Sequence, residues 1–484
     1  MNPPIRRLAT VVVVMFLALM IAATSIQYFQ AGTLNAHSRN VRTIYREYGR
    51  DRGPIIVQGE AVASSTPVDD NYGYQRVYPE GELYAHVTGY FSTAHNRITG
   101  IELAENDVLN GTSDSLLLQR IQTLVTGQQP QGGAVELTID PDAQRVATEA
   151  LGGREGAVVA LDPGTGAIRA LVSTPSFDPN GLASHVREEA DAAFEAYNAD
   201  DAGYPMVNRA IAGDQYAPGS SFKVITAAAA MEAEGLDPGS TVPGPTTLDL
   251  PQTDHVVYNP SRLPCGDGSG EVTLVQAFRQ SCNTTFGQLA MDMGAEPLRE
   301  QAEAFGFGEP LDVPQPVTPS RFPEELTAPE LAMSGIGEAS VRVTPMQMAM
   351  VAAAVANDGV QMQPYLVDRQ LTPDLEEVST TQPRTLRESV SPGTADALTE
   401  MMLEVVESGT GTPAQIPGVD VAGKTGTAEN AEGVEPHSWF IGFADADDPE
   451  VAVAVLVENG GDGGSTAGPI ARDVMEAVLS GGSG

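Results

Sequence analysis

Residues 216–234 read YAPGSSFKVITAAAAMEAE. Tyr216-Ala217-Pro218-Gly219 is turn chemistry, since Pro presets φ and Gly tolerates left-handed backbone. The Ala-rich run from Ser220 to Glu234 then reads as a helix that Gly235 ends. A helix apolar all round belongs in a core. Ser220 stands at its N-terminal end, where free N–H groups and the helix dipole favour negative charge on an oxygen. Lys223 follows one turn later on the same face. A lysine desolvated among apolar side chains has a lowered pKa, which suits it to act as a base. The plainer reading is an N-cap serine beside a lysine that snorkels to the surface.

The lysine inventory sharpens this. The chain has 484 residues and 26 basic side chains, of which Lys223 and Lys424 are lysines and all the rest arginines. Arginine stays protonated in proteins; lysine can be tuned into a base. Lys424 lies in Gly423-Lys424-Thr425-Gly426-Thr427, after a run (418–422) that alternates like a strand. A cation and two hydroxyls on an edge strand suit a carboxylate, and the glycines let a ligand backbone approach closely. The alternative is a glycine-kinked edge strand guarded by a lysine. Between the two lysine motifs lies Ser281-Cys282-Asn283, an S-x-N pattern. Ser38-Arg39-Asn40 also fits it, but precedes the first lysine motif beside an apolar segment and is set aside.

The ordered trio S-x-x-K, S-x-N and K-T-G resembles the penicillin-binding protein and serine β-lactamase superfamily, where these motifs line one cleft. Further segments are similar to the class B penicillin-binding proteins, the monofunctional D,D-transpeptidases. They are Pro175-Ser176-Phe177-Asp178-Pro179-Asn180, Asn208-Arg209-Ala210, Thr344-Pro345-Met346-Gln347-Met348-Ala349 and Trp439-Phe440-Ile441-Gly442-Phe443-Ala444. The chain looks most like the actinobacterial penicillin-binding protein A group. The resemblance covers about 136–484 well and 31–135 loosely, through Asp51-Arg52-Gly53-Pro54-Ile55. Two departures stand out: Cys282 in the middle of S-x-N, and Gly337-Glu338 where a Gly-Gln-Gly type loop is expected.

The resemblance implies an α+β fold, a central antiparallel sheet covered by helices. It also implies a peptidoglycan D,D-transpeptidase that cross-links stem peptides, with carboxypeptidase side activity, inhibition by β-lactams and no cofactor. Ser220 would be the nucleophile, Lys223 its base and Ser281 the proton relay. Asn283 would hold the substrate's peptide amide, while Lys424, Thr425, Gly426 and Thr427 would receive its terminal carboxylate. The backbone N–H groups of Ser220 and Thr427 would form the oxyanion hole. A membrane glycosyltransferase partner, contacted through 31–135 and the N-terminal segment, is implied by analogy. The rivals are a membrane-anchored β-lactamase, which needs a water-activating base that no class A-like Glu motif supplies, a β-lactam sensor, which would carry further transmembrane segments, and a membrane scaffold, a role compatible with catalysis.

Working outward, residues 31–135 read as a strand-rich pedestal, with strands at 53–57 and 82–87 and a linker at 128–133. From there to the C-terminus the pattern gives a strand at 134–139, a helix at 141–151 and a hairpin of two apolar runs, 156–161 and 167–172. It closes with strands at 419–429, 438–444 and 451–458, a helix over about 468–479 and a Gly/Ser tail. The division is therefore 1–30, 31–135 and 136–484. Leu8–Ile26 carries no charge and would span about 28 Å as a helix, enough for a bilayer core. Arg6 and Arg7 precede it, which predicts a single-pass anchor with a cytoplasmic N-terminus and an extracytoplasmic catalytic region. A cleaved signal peptide ending near Ala23-Thr24-Ser25 competes, but the run exceeds the usual apolar core of about 7–15 residues.

Composition bounds the remainder. A formal net charge of −38 repels phosphate backbones and argues against nucleic acid. The six histidines (His37, His86, His95, His185, His255, His437) include no pair three or four apart, and two cysteines offer no zinc spacing, so no metal is expected. An exported chain permits one disulfide, Cys265–Cys282; two buried free thiols are the alternative.

Overall fold

The computed structural model describes residues 3–30, 50–116, 131–213, 215–430 and 433–481. Gly156–Leu161 and Ile168–Thr174 form the expected hairpin. Its turn is closed by Asp162, whose carboxylate accepts from the Thr165 N–H and whose own N–H donates to the Ala167 carbonyl. Three strands from the far end of the chain complete an antiparallel sheet in the order Val421–Ala428, His437–Ala444, Val451–Val457, Gly156–Leu161, Ile168–Thr174. Strand alternation sends its side chains to two separate cores. Ala157, Val159 and Leu161 join a cluster with Val224 and Ala228 of the helix Lys223–Glu234 and Val351 of the helix Pro345–Ala356. Val158 and Ala160 join another, with Ala143 and Ala147 of Pro141–Leu151 and Ala471 and Val474 of Gly463–Gly481. A sheet covered on both faces needs apolar residues at every position, and Gly156–Leu161 is buried throughout.

A six-stranded sheet lies N-terminal in sequence but not wholly so. Its order is Glu377–Thr380, Val367–Leu371, Ala134–Leu137, Ile55–Val57, Glu60–Pro67, Tyr74–Val77. Ala134–Leu137 pairs in parallel with Ile55–Val57 and antiparallel with Val367–Leu371. A division at 135/136 thus falls inside a strand bonded on both sides.

Several expectations need correction. The segment 82–87 is no strand: Gly81–Leu83 is a 3₁₀ turn and Ala85–Thr88 a helical turn whose four residues are all buried. Burial on every side erases the period that separates strand from helix. Residues 128–130 lie outside the described residues, and 131–133 are not a linker. Gly132 donates to the Asp51 carbonyl, and a Cβ there would collide with the Leu109 carbonyl. The last helix starts at Gly463 rather than near 468. Its first glycine packs so closely on the sheet that a Cβ would strike the Gly426 carbonyl. Ahead of everything, Pro3–Thr24 is an apolar helix with no buried residue.

The N-terminal region is held by a charge cluster. Glu102, fully buried, pairs with the guanidinium groups of Arg52 and Arg76 and accepts from the Tyr78 hydroxyl. Burial alone would raise its pKa; the two arginines overcome this and hold it below the ordinary carboxylate value. The stability it supplies is therefore present above the unfolded-state carboxylate pKa and lost as pH falls through the lower folded one. Glu102→Ala leaves two buried guanidinium groups short of a counter-charge and should destabilise by roughly 3–5 kcal/mol. Calorimetry at neutral pH would show a lowered melting midpoint; an unchanged one would refute the assignment.

Candidate active site

Ser220 sits in the 3₁₀ turn Gly219–Phe222, which runs directly into the helix Lys223–Glu234. The turn brings the Ser220 hydroxyl oxygen within 3.0 Å of Lys223 Nζ. Lys223 is fully buried, over the Phe286 ring, and Nζ also lies 2.8 Å from the Ser281 carbonyl, 3.2 Å from Ser281 Oγ and 2.7 Å from Asn283 Oδ1. A neutral amine has two N–H donors and one lone pair. Ser281 O and Asn283 Oδ1 suit the donors, leaving the lone pair to accept the Ser220 proton.

Lys424 approaches from the other side. It is fully buried over the Phe278 ring, with Nζ 3.0 Å from Ser281 Oγ and 2.9 Å from the Thr425 carbonyl. Ser281 Oγ therefore lies between two amines. Burial pushes Lys223 well below the ordinary lysine pKa, and the charge of Lys424 pushes the same way; burial lowers Lys424 to about 7.

Ser281 holds its place under strain. Its φ is 56°, a left-handed value that costs a non-glycine residue roughly 1–3 kcal/mol. Around it the backbone is fixed: Ser281 N–H donates to Phe278 O and Cys282 N–H to Ala277 O. Cys282 is disulfide-bonded to Cys265 across a sequence separation of 17. Closing a loop of that length stabilises by about 3 kcal/mol on the chain-entropy model, enough to offset the strain.

The strand Val421–Ala428 lies against the Ser220 turn. A Cβ on Gly426 would stand 2.8 Å from the Pro218 carbonyl, and one on Gly219 2.6 Å from the Thr427 carbonyl. Trp439 on the neighbouring strand donates its indole N–H to Ala217 O at 3.0 Å. Thr425 Oγ1 meets Thr410 Oγ1 at 2.6 Å, and Thr427 Oγ1 accepts from Gly463 N–H. Asn283 opens the helix Asn283–Met293, and its Nδ2 donates to Tyr258 O at 2.9 Å. Ser220, Ser281, Asn283, Thr425 and Thr427 thus open onto one cleft of 1030 Å³.

Sequence reading missed Thr410, Tyr258 and Glu338 as cleft residues. Nothing local marks Thr410 or Tyr258. Glu338 left a signal, as a departure from the family pattern. Its carboxyl accepts from Glu429 N–H at 3.0 Å, and burial lifts its pKa to about 7.

The penicillin-binding protein transpeptidase domain matches residues 156–476, and the penicillin-binding protein A dimerisation domain matches 52–135. The chain is 43% identical to the peptidoglycan D,D-transpeptidase PbpA of Mycolicibacterium smegmatis, covering 100% of each. Identity to the protein of that name from Mycobacterium tuberculosis is also 43%, over 99% of this chain and 100% of that one. The ceftriaxone acyl-enzyme complex of M. tuberculosis penicillin-binding protein A superposes with a TM-score of 0.86, covering 90% of this chain and 99% of that one.

Proposed function

Because this chain belongs to the class B penicillin-binding proteins, we propose a residue-by-residue account of its acyl transfer. The protein is a peptidoglycan D,D-transpeptidase that works through a serine acyl-enzyme and is acylated by β-lactams. Ser220 attacks the carbonyl between the two terminal D-alanines of a stem peptide, and neutral Lys223 takes its proton. The Ser220 and Thr427 amides stabilise the tetrahedral oxyanion, a contribution of about 10²–10³ in rate per donor. Ser281 passes a proton to the departing D-Ala amine and is re-supplied by the ammonium group beside it. Lys424, Thr425 and Thr427 receive the terminal carboxylate, and Asn283 the substrate amide. An amine of a second stem peptide then attacks the acyl carbon, returns its proton through the same relay and frees Ser220.

The observation that carries this account is Ser281 Oγ at 3.2 Å and 3.0 Å from the two lysine amines, with Ser220 Oγ 3.0 Å from one of them. Mass spectrometry of the penicillin adduct tests it. Trypsin cleaves after Arg209 and Lys223, so the penicilloyl mass should appear on the peptide 210–223 and persist for hours. An adduct on another peptide would overturn the assignment, and turnover within a second would favour a β-lactamase.

The apolar helix Pro3–Thr24 anchors the protein in the membrane. Arg6 and Arg7 before it support a cytoplasmic N-terminus and an extracytoplasmic cleft. Residues 31–135, together with the anchor, are the region offered to a membrane glycosyltransferase supplying the glycan strand.

A further inference from the structure

Acyl transfer as assigned above gives no role to Glu338 of the cleft lining, and the following inference rests on that assignment. Gly337 and Glu338 come shortly after the helix Ala328–Ser334. The Gly337 carbonyl accepts the Gly219 N–H at 3.0 Å, immediately before Ser220. The next residue, Glu338, accepts the Glu429 N–H at 3.0 Å, two positions beyond Thr427. These backbones are in close contact. Gly337 has φ 80°, and a Cβ on it would collide with the Gly219 carbonyl; Gly219 has φ 52° and abuts Thr427. Two consecutive residues therefore reach the two segments whose amides would form the oxyanion hole.

We propose that Glu338 is a positioning residue for acyl transfer: with Gly337 it straps the Ser220 segment to the end of the Val421–Ala428 strand, holding the Ser220 and Thr427 amides at the separation one oxyanion requires. The charged groups facing its half-buried carboxyl are the Lys223 amine from the core helix, the Arg342 guanidinium from the following stretch and the Glu429 carboxylate from the strand end. Burial raises the Glu338 pKa and Glu429 adds to this, while Arg342 and Lys223 oppose it. In return, an ionised Glu338 makes Lys223 more basic. Glutamine keeps the acceptor oxygen and removes the charge, so it separates the strap from the field.

The test is acylation of the full-length, detergent-solubilised protein by a fluorescent penicillin across the pH range, with the dissociation constant resolved from the acylation rate constant. Glu338→Ala should slow acylation about 10- to 100-fold at every pH while the dissociation constant holds. Glu338→Gln should stay close to wild type in alkaline solution. Its acidic limb should lie at lower pH, because Lys223 sheds its proton more readily without the neighbouring charge. Wild-type rates in Glu338→Ala, a Glu338→Gln protein as slow as Glu338→Ala, or a glutamine limb superimposed on wild type would each overturn the proposal. Should the alanine variant fail to fold, the glutamine pH profile decides alone. Failure of the acyl-transfer assignment itself would show separately, as undiminished labelling of Ser220→Ala.

Discussion

Ser220→Ala should abolish covalent labelling by a fluorescent penicillin while leaving the fold intact. An ester-linked acyl-enzyme needs the hydroxyl oxygen, and no residual base or oxyanion hole can replace it. The informative control is next door. Ser221 is fully buried and donates its hydroxyl to Pro218 O at 2.7 Å. Ser221→Ala should therefore change thermal stability and leave labelling near wild type. Of two adjacent serines, one is turned toward a lysine amine and the other toward backbone, and this alone separates reactivity from structure. Labelling of Ser220→Ala at the wild-type rate would defeat the nucleophile assignment.

Replacing either lysine by arginine should be nearly as damaging, although both are basic side chains. Lys223 must be neutral to accept a proton, and its burial beside Lys424 lowers its pKa to that end. Acylation should consequently rise with pH through that depressed value and begin well below the range of an ordinary lysine. Lys223→Arg carries a permanent cation that cannot act as a base. We expect a loss of about 10³-fold, within the usual range for general-base removal, and the disappearance of the acidic limb. Lys424→Arg puts a wider, planar group between Phe278 and Ser281 Oγ; a loss of about 10²-fold is expected, with the relay displaced. The measurement is the second-order acylation rate constant against pH. Retention of a wild-type limb in Lys223→Arg would mean that another group removes the Ser220 proton.

Much of the site is legible in the sequence because its motifs are local. Serine and lysine one turn apart on a helix, or a lysine flanked by glycines on a strand, encode a geometry within a few residues. The hairpin 156–174 and the closing strands are legible for the same reason, as apolar runs bounded by turn residues. What is hidden depends on distant backbone. Thr410 acquires its place by hydrogen-bonding to Thr425 of the strand, and Glu338 by meeting an amide at 429. Residues 82–87 mislead because their helical part, which opens Ala85–Thr88, is enclosed on all sides and shows no amphipathic period. The strand Ala134–Leu137 conceals its second partner, Val367–Leu371, which arrives more than two hundred residues later.

The pairing of Gly156–Leu161 with Val451–Val457 has a consequence for how the molecule is made. Ribosomes deliver about 5–20 residues per second, so the early strand waits on the order of 15–60 s for its neighbour. During that interval a wholly apolar ribbon has one open edge, which makes a holding chaperone valuable to the nascent chain. The antibiotic target itself comes into being only once the strand Val421–Ala428 has been made: a product stalled before residue 420 contains Ser220 but lacks the wall it packs against, and should not titrate penicillin.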